Sequence, residues 1–343
     1  MADGLLTRDE FRAAVLARDN DKCVICGAPA RDAHHILERR LWDDEGYYLD
    51  NGASVCTHCH IHAEQTLISC EDLRRACGIK KPHLPEHLYD EYEYDKWGNI
   101  LVSGGGRIRG ELFFDESVQI ALDAGDVLRL FSPYVKHPRT NHLPWSHPDD
   151  DDRVIRDMSN LQTSNVVVTV KMDGEQTSMY RDRVHARSLD PVHGPDHSFV
   201  NIVQSRIGYQ LPEGWRVCGE NLHAEHSIHY RNLKSYFYVF SIWDEKNVCL
   251  TWDETVEWAE LLDLITVPVL YRGPWNEEKI KACWQPTYDG DEMEGYVARV
   301  SGTIPFSLHR VSVAKYVRPS FNRMHGRQVF IPNEITSREV KKP

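Results

Sequence analysis

The sequence has no apolar run approaching the roughly 18 residues that a membrane span needs, and its first ten residues lack the basic and apolar regions of a secretory signal. It has no internal repeat, no heptad array and no low-complexity tract, which excludes solenoids and long coiled coils. Positive charge is also short. Against 52 acidic residues stand 40 Lys and Arg, and the net charge of -12 argues against a protein that coats nucleic acid by electrostatics alone. What is present, 343 residues with 41% hydrophobic and 27% charged, describes a globular chain of two domains or one large one. The expected setting is cytoplasmic, with no membrane partner. The nine cysteines are odd in number and four form two Cys-x-x-Cys pairs, a pattern that favours a metal site in a reducing compartment over a disulfide framework.

Charge is unevenly distributed. Residues 1–95 carry 11 basic and 19 acidic side chains, whereas from Arg299 onward nine are basic and two acidic. A polyanion is therefore expected to meet the C-terminal part, with Arg323, Arg327, Lys341 and Lys342 as a basic tail.

Thr7-Arg8-Asp9-Glu10 fits a capping box, and Phe11, Val15 and Leu16 follow at helical spacing, so a helix opens the chain. Ser69 starts a second short helix that Gly78 stops. Between them, residues 23–64 are poor in apolar periodicity and dense in Cys and His, as in a small metal-stapled unit. Pro82, Pro85, the acidic residues 90–95 and Gly104-Gly105-Gly106 mark a connection, giving expected domains at 1–95 and 129–343 with a linker over 96–128. Beyond it, residues 166–170, 235–243, 295–300 and 311–317 predict strands and 252–264 a helix. The fold class is α+β.

Cys23-Val24-Ile25-Cys26 and Cys56-Thr57-His58-Cys59 can each offer two thiolates to one ion, and four sulfurs in tetrahedral array suit a structural Zn²⁺. With Asp32-Ala33-His34-His35-Ile36, Asn51 and His60, their order resembles the HNH (ββα-metal) endonuclease family. The resemblance implies His35 as the general base that activates water, His34 beside a catalytic divalent ion, His60 as a ligand of that ion, and Asn51 orienting the loop of the base. His58 and His62 crowd the same turn. The same histidines also suit a zinc-bound module that only binds nucleic acid.

A second set of motifs runs in order through the other half: Lys171-Met172-Asp173-Gly174, Cys218-Gly219-Glu220-Asn221, Tyr236 to Asp244, Glu294 to Arg299, and Val313 to Arg318. Together they resemble motifs I, III, IIIa, IV and V of the covalent nucleotidyltransferases, the superfamily of polynucleotide ligases and mRNA capping enzymes. Arg139 to Trp145 (RTNHLPW) looks like the RNA ligase 2-like branch. The resemblance, over residues 129–325, implies antiparallel sheets with helices of ATP-grasp-like type and an adenylylation domain. It implies Lys171 as the nucleophile on ATP, Lys315 and Arg318 as phosphate ligands, Glu220 at the ribose and Phe240 stacked on adenine. Arg187 would grip a phosphate, and Glu294 would hold Mg²⁺ or Mn²⁺. Motif V is commonly Lys-x-Lys, but here Lys315 pairs with Val317, and a regular strand turns Arg318 to the opposite face. Only 25 residues follow Arg318, too few for a C-terminal OB-fold.

The leading expectation is an ATP-dependent RNA ligase with an HNH-like zinc domain that assists nucleic acid binding. Its substrate would be RNA as a nicked duplex, a broken tRNA loop or free single strands, with DNA disfavoured. The alternatives are a metal-dependent nuclease with base His35, and a combined protein that cuts and reseals.

Overall fold

The computed structural model describes residues 4–148, 152–189, 192–319, 321 and 330–336. Arg323, Arg327, Lys341 and Lys342 lie outside these residues. The chain divides into two compact units, Met1–Val135 and Lys136–Pro343.

In the first unit, α1 (Arg8–Arg18) opens with the expected box: the Thr7 hydroxyl accepts the Glu10 amide, and the Glu10 carboxylate accepts the Thr7 amide at 2.9 Å. Its apolar face, Phe11 and Val15, packs on a two-stranded antiparallel sheet, β1 (Asp32–His35) and β2 (Gly52–Val55). The approach is close enough that a Cβ on Gly52 would strike Val15 and stand 2.9 Å from the Phe11 ring. The helix α2 (Thr57–Glu64) follows β2 directly, capped by the Cys56 sulfur, and α3 (Cys70–Ala76) comes next.

Residues 96–128 are part of this unit and not a linker. A three-stranded meander, β3 (Glu93–Tyr94), β4 (Ile100–Leu101) and β5 (Arg107–Ile108), leads to α4 (Glu116–Ala124). Trp97, Phe113, Val118 and Leu122 are buried in one core with Leu41, Val55 and Leu73. A buried ion pair, Arg107 to Asp95 at 2.9 Å, secures the meander, and Asn99 also donates to Asp95.

The second unit is built on two sheets. Its elements are β6 (Asn141–His142), α5 (Ser159–Gln162), β7 (Asn165–Lys171), β8 (Glu175–Met179), β9 (Val184–Ala186), α6 (Ser198–Ile207) and β10 (Arg216–Asn221). They continue as β11 (Phe237–Trp243), β12 (Val248–Cys249), α7 (Trp252–Leu261), β13 (Ile265–Thr266), β14 (Val269–Pro274) and α8 (Glu277–Lys281). A hairpin, β15 (Thr287–Tyr288) with β16 (Asp291–Glu292), then β17 (Gly295–Val300), β18 (Ile304–Pro305), α9 (His309–Ser312) and β19 (Val313–Val317), complete it.

One sheet runs β14-β7-β17-β19-β6, antiparallel except that β6 lies parallel to β19. The other runs β18-β12-β11-β10-β8-β9, with β13 added parallel to β11. Valines 166, 167 and 168 are fully buried, as expected of a strand covered on both faces. The helix expected over 252–264 stops at Leu261, because the chain turns at Asp263 with φ 55 and re-enters as β13. The strand expected from 311 starts at Val313, after α9. Among the described residues, no helix is long and apolar enough to cross a membrane.

Candidate functional site

The row Thr169, Val297, Lys315 crosses three neighbouring strands of the first sheet. Side chains two apart share a face, so Lys171 rises from the same face as Thr169, and both lysines line one cavity of about 540 Å³. Lys171 Nζ stands 2.5 Å from Glu294 Oε2, a carboxylate with no exposed surface, where β7 and β17 pair as Lys171 against Gly295.

The loop after Lys171 is tethered. Asp173 accepts the amides of Ser227 at 2.7 Å and Ile228 at 2.8 Å, so the acid of the Lys-x-Asp-Gly motif shapes the turn. Gly174 packs so closely on the next strand that a Cβ would overlap the Asn221 carbonyl, and its amide donates to Glu220 Oε1 at 3.1 Å. Only glycine fits there.

The other sheet supplies the far wall. The register of β10 on β11 shifts between Cys218 and Gly219, which pair with Ser241 and Val239, so Phe240 is the extra residue of a β-bulge. A bulge re-aims a side chain, and Phe240 lines the cavity. Arg299 reaches the Phe240 carbonyl at 3.4 Å and the Leu250 carbonyl at 2.8 Å, linking this strand to β17. Arg187, Glu220 and Thr140 also line the cavity.

Burial pushes the Glu220 carboxyl up to about 8; Lys171 opposes this, while Glu294 and Asp173 add to it. Because the folded value lies above the ordinary 4.5, the stability this group lends is complete below pH 4.5 and is lost as pH rises through about 8. The Glu220→Gln variant is therefore expected to show a shallower fall in melting temperature between pH 5 and 8 than wild type. Equal slopes would contradict it.

Of the residues expected here, Lys171, Arg187, Glu220, Phe240 and Lys315 line the cavity, and Glu294 meets it through Lys171. Arg318 is not among the lining residues. It pairs with Glu292 at 2.5 Å and lies over the Phe321 ring, as a strand that stays regular through Val317 requires. Sequence reasoning did not assign His142 and Asp152, which contact each other at 2.7 Å, with Asp152 also on Lys315 at 3.3 Å.

The first unit holds two clusters. The Sγ atoms of Cys23, Cys26, Cys56 and Cys59 all lie within 4.8 Å of one another. Four sulfurs about 2.3 Å from a tetrahedral zinc stand about 3.8 Å apart, and Cys26 to Cys56 is 3.6 Å, so the donor set fits that ion. The other cluster is His34, His60 and Glu64, again with ligand atoms within 4.8 Å. It lines a cavity of about 610 Å³ together with His35, Asp32 and Lys96. Glu64 Oε1 is 3.4 Å from His34 Nδ1, 3.2 Å from His60 Nε2 and 3.2 Å from Lys96 Nζ.

Burial first, then the Lys96 charge, lowers His34 to about 3 and His35 to about 4, so both are neutral at pH 7. His35 stacks on Phe11, ring centroids 4.6 Å apart. Asn51 is buried and binds both the amide and the carbonyl of Leu37, bracing the loop that follows His35. The His58 and His62 rings lie against each other at a 56° tilt, centroids 4.2 Å apart, and belong to neither cluster. Glu64 was findable, one turn beyond His60 on the same helix face. Lys96 was not, because the prolines and glycines on either side of it read as a connection.

Residues 164–317 match the RNA ligase family model. Among curated proteins none matches the chain. Similar solved structures include an apo variant of Naegleria gruberi RNA ligase, at 20% identity and TM-score 0.38, covering 54% of this chain and 59% of that one. Another variant of the same ligase, with ATP and Mn, has 19% identity and TM-score 0.38, covering 58% and 66%. The ligase with PPi has 20% identity and TM-score 0.37, covering 53% and 58%. The chain thus spans about three-fifths of the length of the first of these structures.

Proposed function

We propose that this chain is an ATP-dependent RNA ligase that joins 5′-phosphate and 3′-hydroxyl ends through a lysyl-AMP intermediate at Lys171. The reading rests on one cavity lined by Lys171, Lys315, Glu220, Phe240 and Arg187, inside the segment that matches the RNA ligase family model. In the first step the Lys171 amine, after losing a proton, attacks the α-phosphorus of ATP. The N–P bond forms, the bond to the β-phosphate oxygen breaks, and pyrophosphate leaves with the electron pair. Glu294, 2.5 Å away, is the base within reach of that proton. Lys315 neutralises phosphate charge, Phe240 offers a flat face to adenine and Glu220 binds the ribose hydroxyls. Arg187 grips a phosphate. AMP then passes to the 5′-phosphate, and the 3′-hydroxyl displaces it.

A Mg²⁺ or Mn²⁺ ion fits the donors present. Burial is the main cause of the raised Glu220 value and the Glu294 and Asp173 carboxylates add to it against Lys171, so acidic oxygens stand close together here, and Glu294 is the residue to hold such an ion. When bound, it would neutralise charge developing on the phosphates. Covalent labelling of the chain by α-labelled ATP is the test, and no label from folded protein would sink the reading.

For the first unit, a structural zinc at the four cysteines and a role in binding nucleic acid is the primary reading. One observation favours a nuclease as well: His34, His60 and Glu64 converge beside the neutral His35. In that reading the three hold a divalent ion and His35 takes the proton of the attacking water. Cleavage of RNA or DNA with Mn²⁺ would then be lost in His35→Ala and kept in Lys171→Ala. No cleavage by wild type with any of several divalent metals would leave the binding role alone.

A further inference from the structure

Lys315 carries a long, flexible side chain, and an ammonium on four rotatable bonds needs a partner to stay in one place. Its partner is built into the fold. β6 lies parallel beside β19 with His142 opposite Lys315, and His142 has no exposed surface. Its Nδ1 is 2.6 Å from the Ser146 hydroxyl, and its Nε2 is 2.7 Å from Asp152 Oδ2. The Ser146 oxygen accepts the Val317 amide at 2.8 Å, from the strand that carries Lys315. Asp152 then takes Lys315 Nζ with both oxygens at 3.3 Å. The chain of contacts starts on β19, runs through Ser146, His142 and Asp152, and returns to β19 at Lys315. The side chains of Lys315 and Asp152 are 12% and 19% exposed, so solvent screens the pair only in part.

We propose that Asp152 is a positioning residue for nucleotidyl transfer: anchored by His142, it holds the Lys315 ammonium at the cavity wall where a nucleotide's phosphates meet Lys171. This rests on the ligase reading. A carboxylate fixed by a buried imidazole restricts where the ammonium can be, and that restriction matters most in the transition state, when charge builds on the phosphates. Without it Lys315 remains a cation near the phosphates, so nucleotide binding is little changed while the chemical step suffers. Asp152 does not touch the reacting atoms and acts through Lys315.

The test is the single-turnover rate of lysyl-AMP formation against ATP concentration in the full chain, with melting temperature measured for each variant. For Asp152→Asn, which keeps the shape and removes the charge, the maximal rate is expected to fall about 10- to 100-fold while half-saturating ATP moves less than about 3-fold. Asp152→Glu restores charge and should recover most of that loss. His142→Gln, which frees Asp152, should show the same split at smaller size, and it carries the test if Asp152→Asn does not fold. A wild-type rate in Asp152→Asn overturns the proposal. So does a loss taken up wholly by half-saturating ATP, or, in variants that fold, one that Asp152→Glu does not recover. If wild type forms no lysyl-AMP, the ligase reading falls and takes this inference with it; if wild type reacts and the variants do too, only the inference falls.

Discussion

Replacing Lys171 with alanine is expected to abolish the covalent AMP adduct and with it all RNA joining. In the proposed mechanism the amine nitrogen forms the N–P bond, and the Lys315 ammonium, paired with Asp152, is held elsewhere on the cavity wall. The variant carries a second effect that must be separated from the first. Glu294 has no exposed surface and pairs with Lys171 at 2.5 Å, so alanine removes a cationic partner from a buried carboxylate at a cost of about 3 kcal/mol. Lys171→Arg separates the two. A guanidinium keeps the positive charge beside Glu294 but stays protonated near neutral pH and is no nucleophile. Both variants should therefore be unlabelled by α-labelled ATP, and the arginine variant should melt closer to wild type than the alanine variant. Purified wild type can already carry AMP, so it is first treated with pyrophosphate to discharge it. Joining by Lys171→Ala, or label on Lys171→Arg, would refute the assignment of the nucleophile.

Four of the five ordered motifs could be read because each sits on or beside a strand that β-branched or aromatic residues announce; β10, which carries Glu220, has only Val217 of that kind. Valines 166 to 168 declare β7 and so deliver Lys171 to the end of a buried strand, and β17 and β19 bring Glu294 and Lys315 to its side in sequence order. Phe240 shows the limit of this reading. Alternation along β11 does not reveal a bulge, which exists only as a register against β10. Asp152 was hidden differently, as one more acid in a run of four, since nothing local indicates that parallel β6 will bring His142 to it. The stretch 96–128 reads as a connection because of its glycines and the neighbouring prolines, although it is part of the first unit. Its apolar residues, Trp97, Phe113, Val118 and Leu122, are scattered over turns, short strands and one helix, so no single period marks them as core. Losing that stretch to a linker also lost Lys96, which reaches Glu64 from beside Trp97.

If the proposed zinc sits at the four cysteines, stripping it is expected to unfold much of the first unit while the proposed lysyl-AMP formation continues in the second. The sheet beside the cysteines has only two strands of four residues each, and α2 has eight residues, too little for stability by themselves. The sulfurs join the turn after α1 to the start of α2: Cys23 and Cys59 are buried in the main core of the unit, and Cys56 caps the helix. A structural zinc at such a site contributes on the order of 10 kcal/mol, comparable to the whole net stability of a typical domain. The isolated protein should contain about one zinc per chain bound by thiolates, and Cys59→Ser should lose it. The melting transition of the first unit should then drop by more than about 10 °C or disappear, with new proteolytic cuts within residues 20–65. A chelator alone would also empty the histidine cluster, so the cysteine variant, compared with His60→Ala, assigns the loss to the sulfur site. His60→Ala should keep the zinc and the melt. Zinc-free protein with an unchanged melt would show that the buried apolar residues around Trp97 and Leu73 hold the unit together unaided, and the four sulfurs would then be a packed cluster and no metal site.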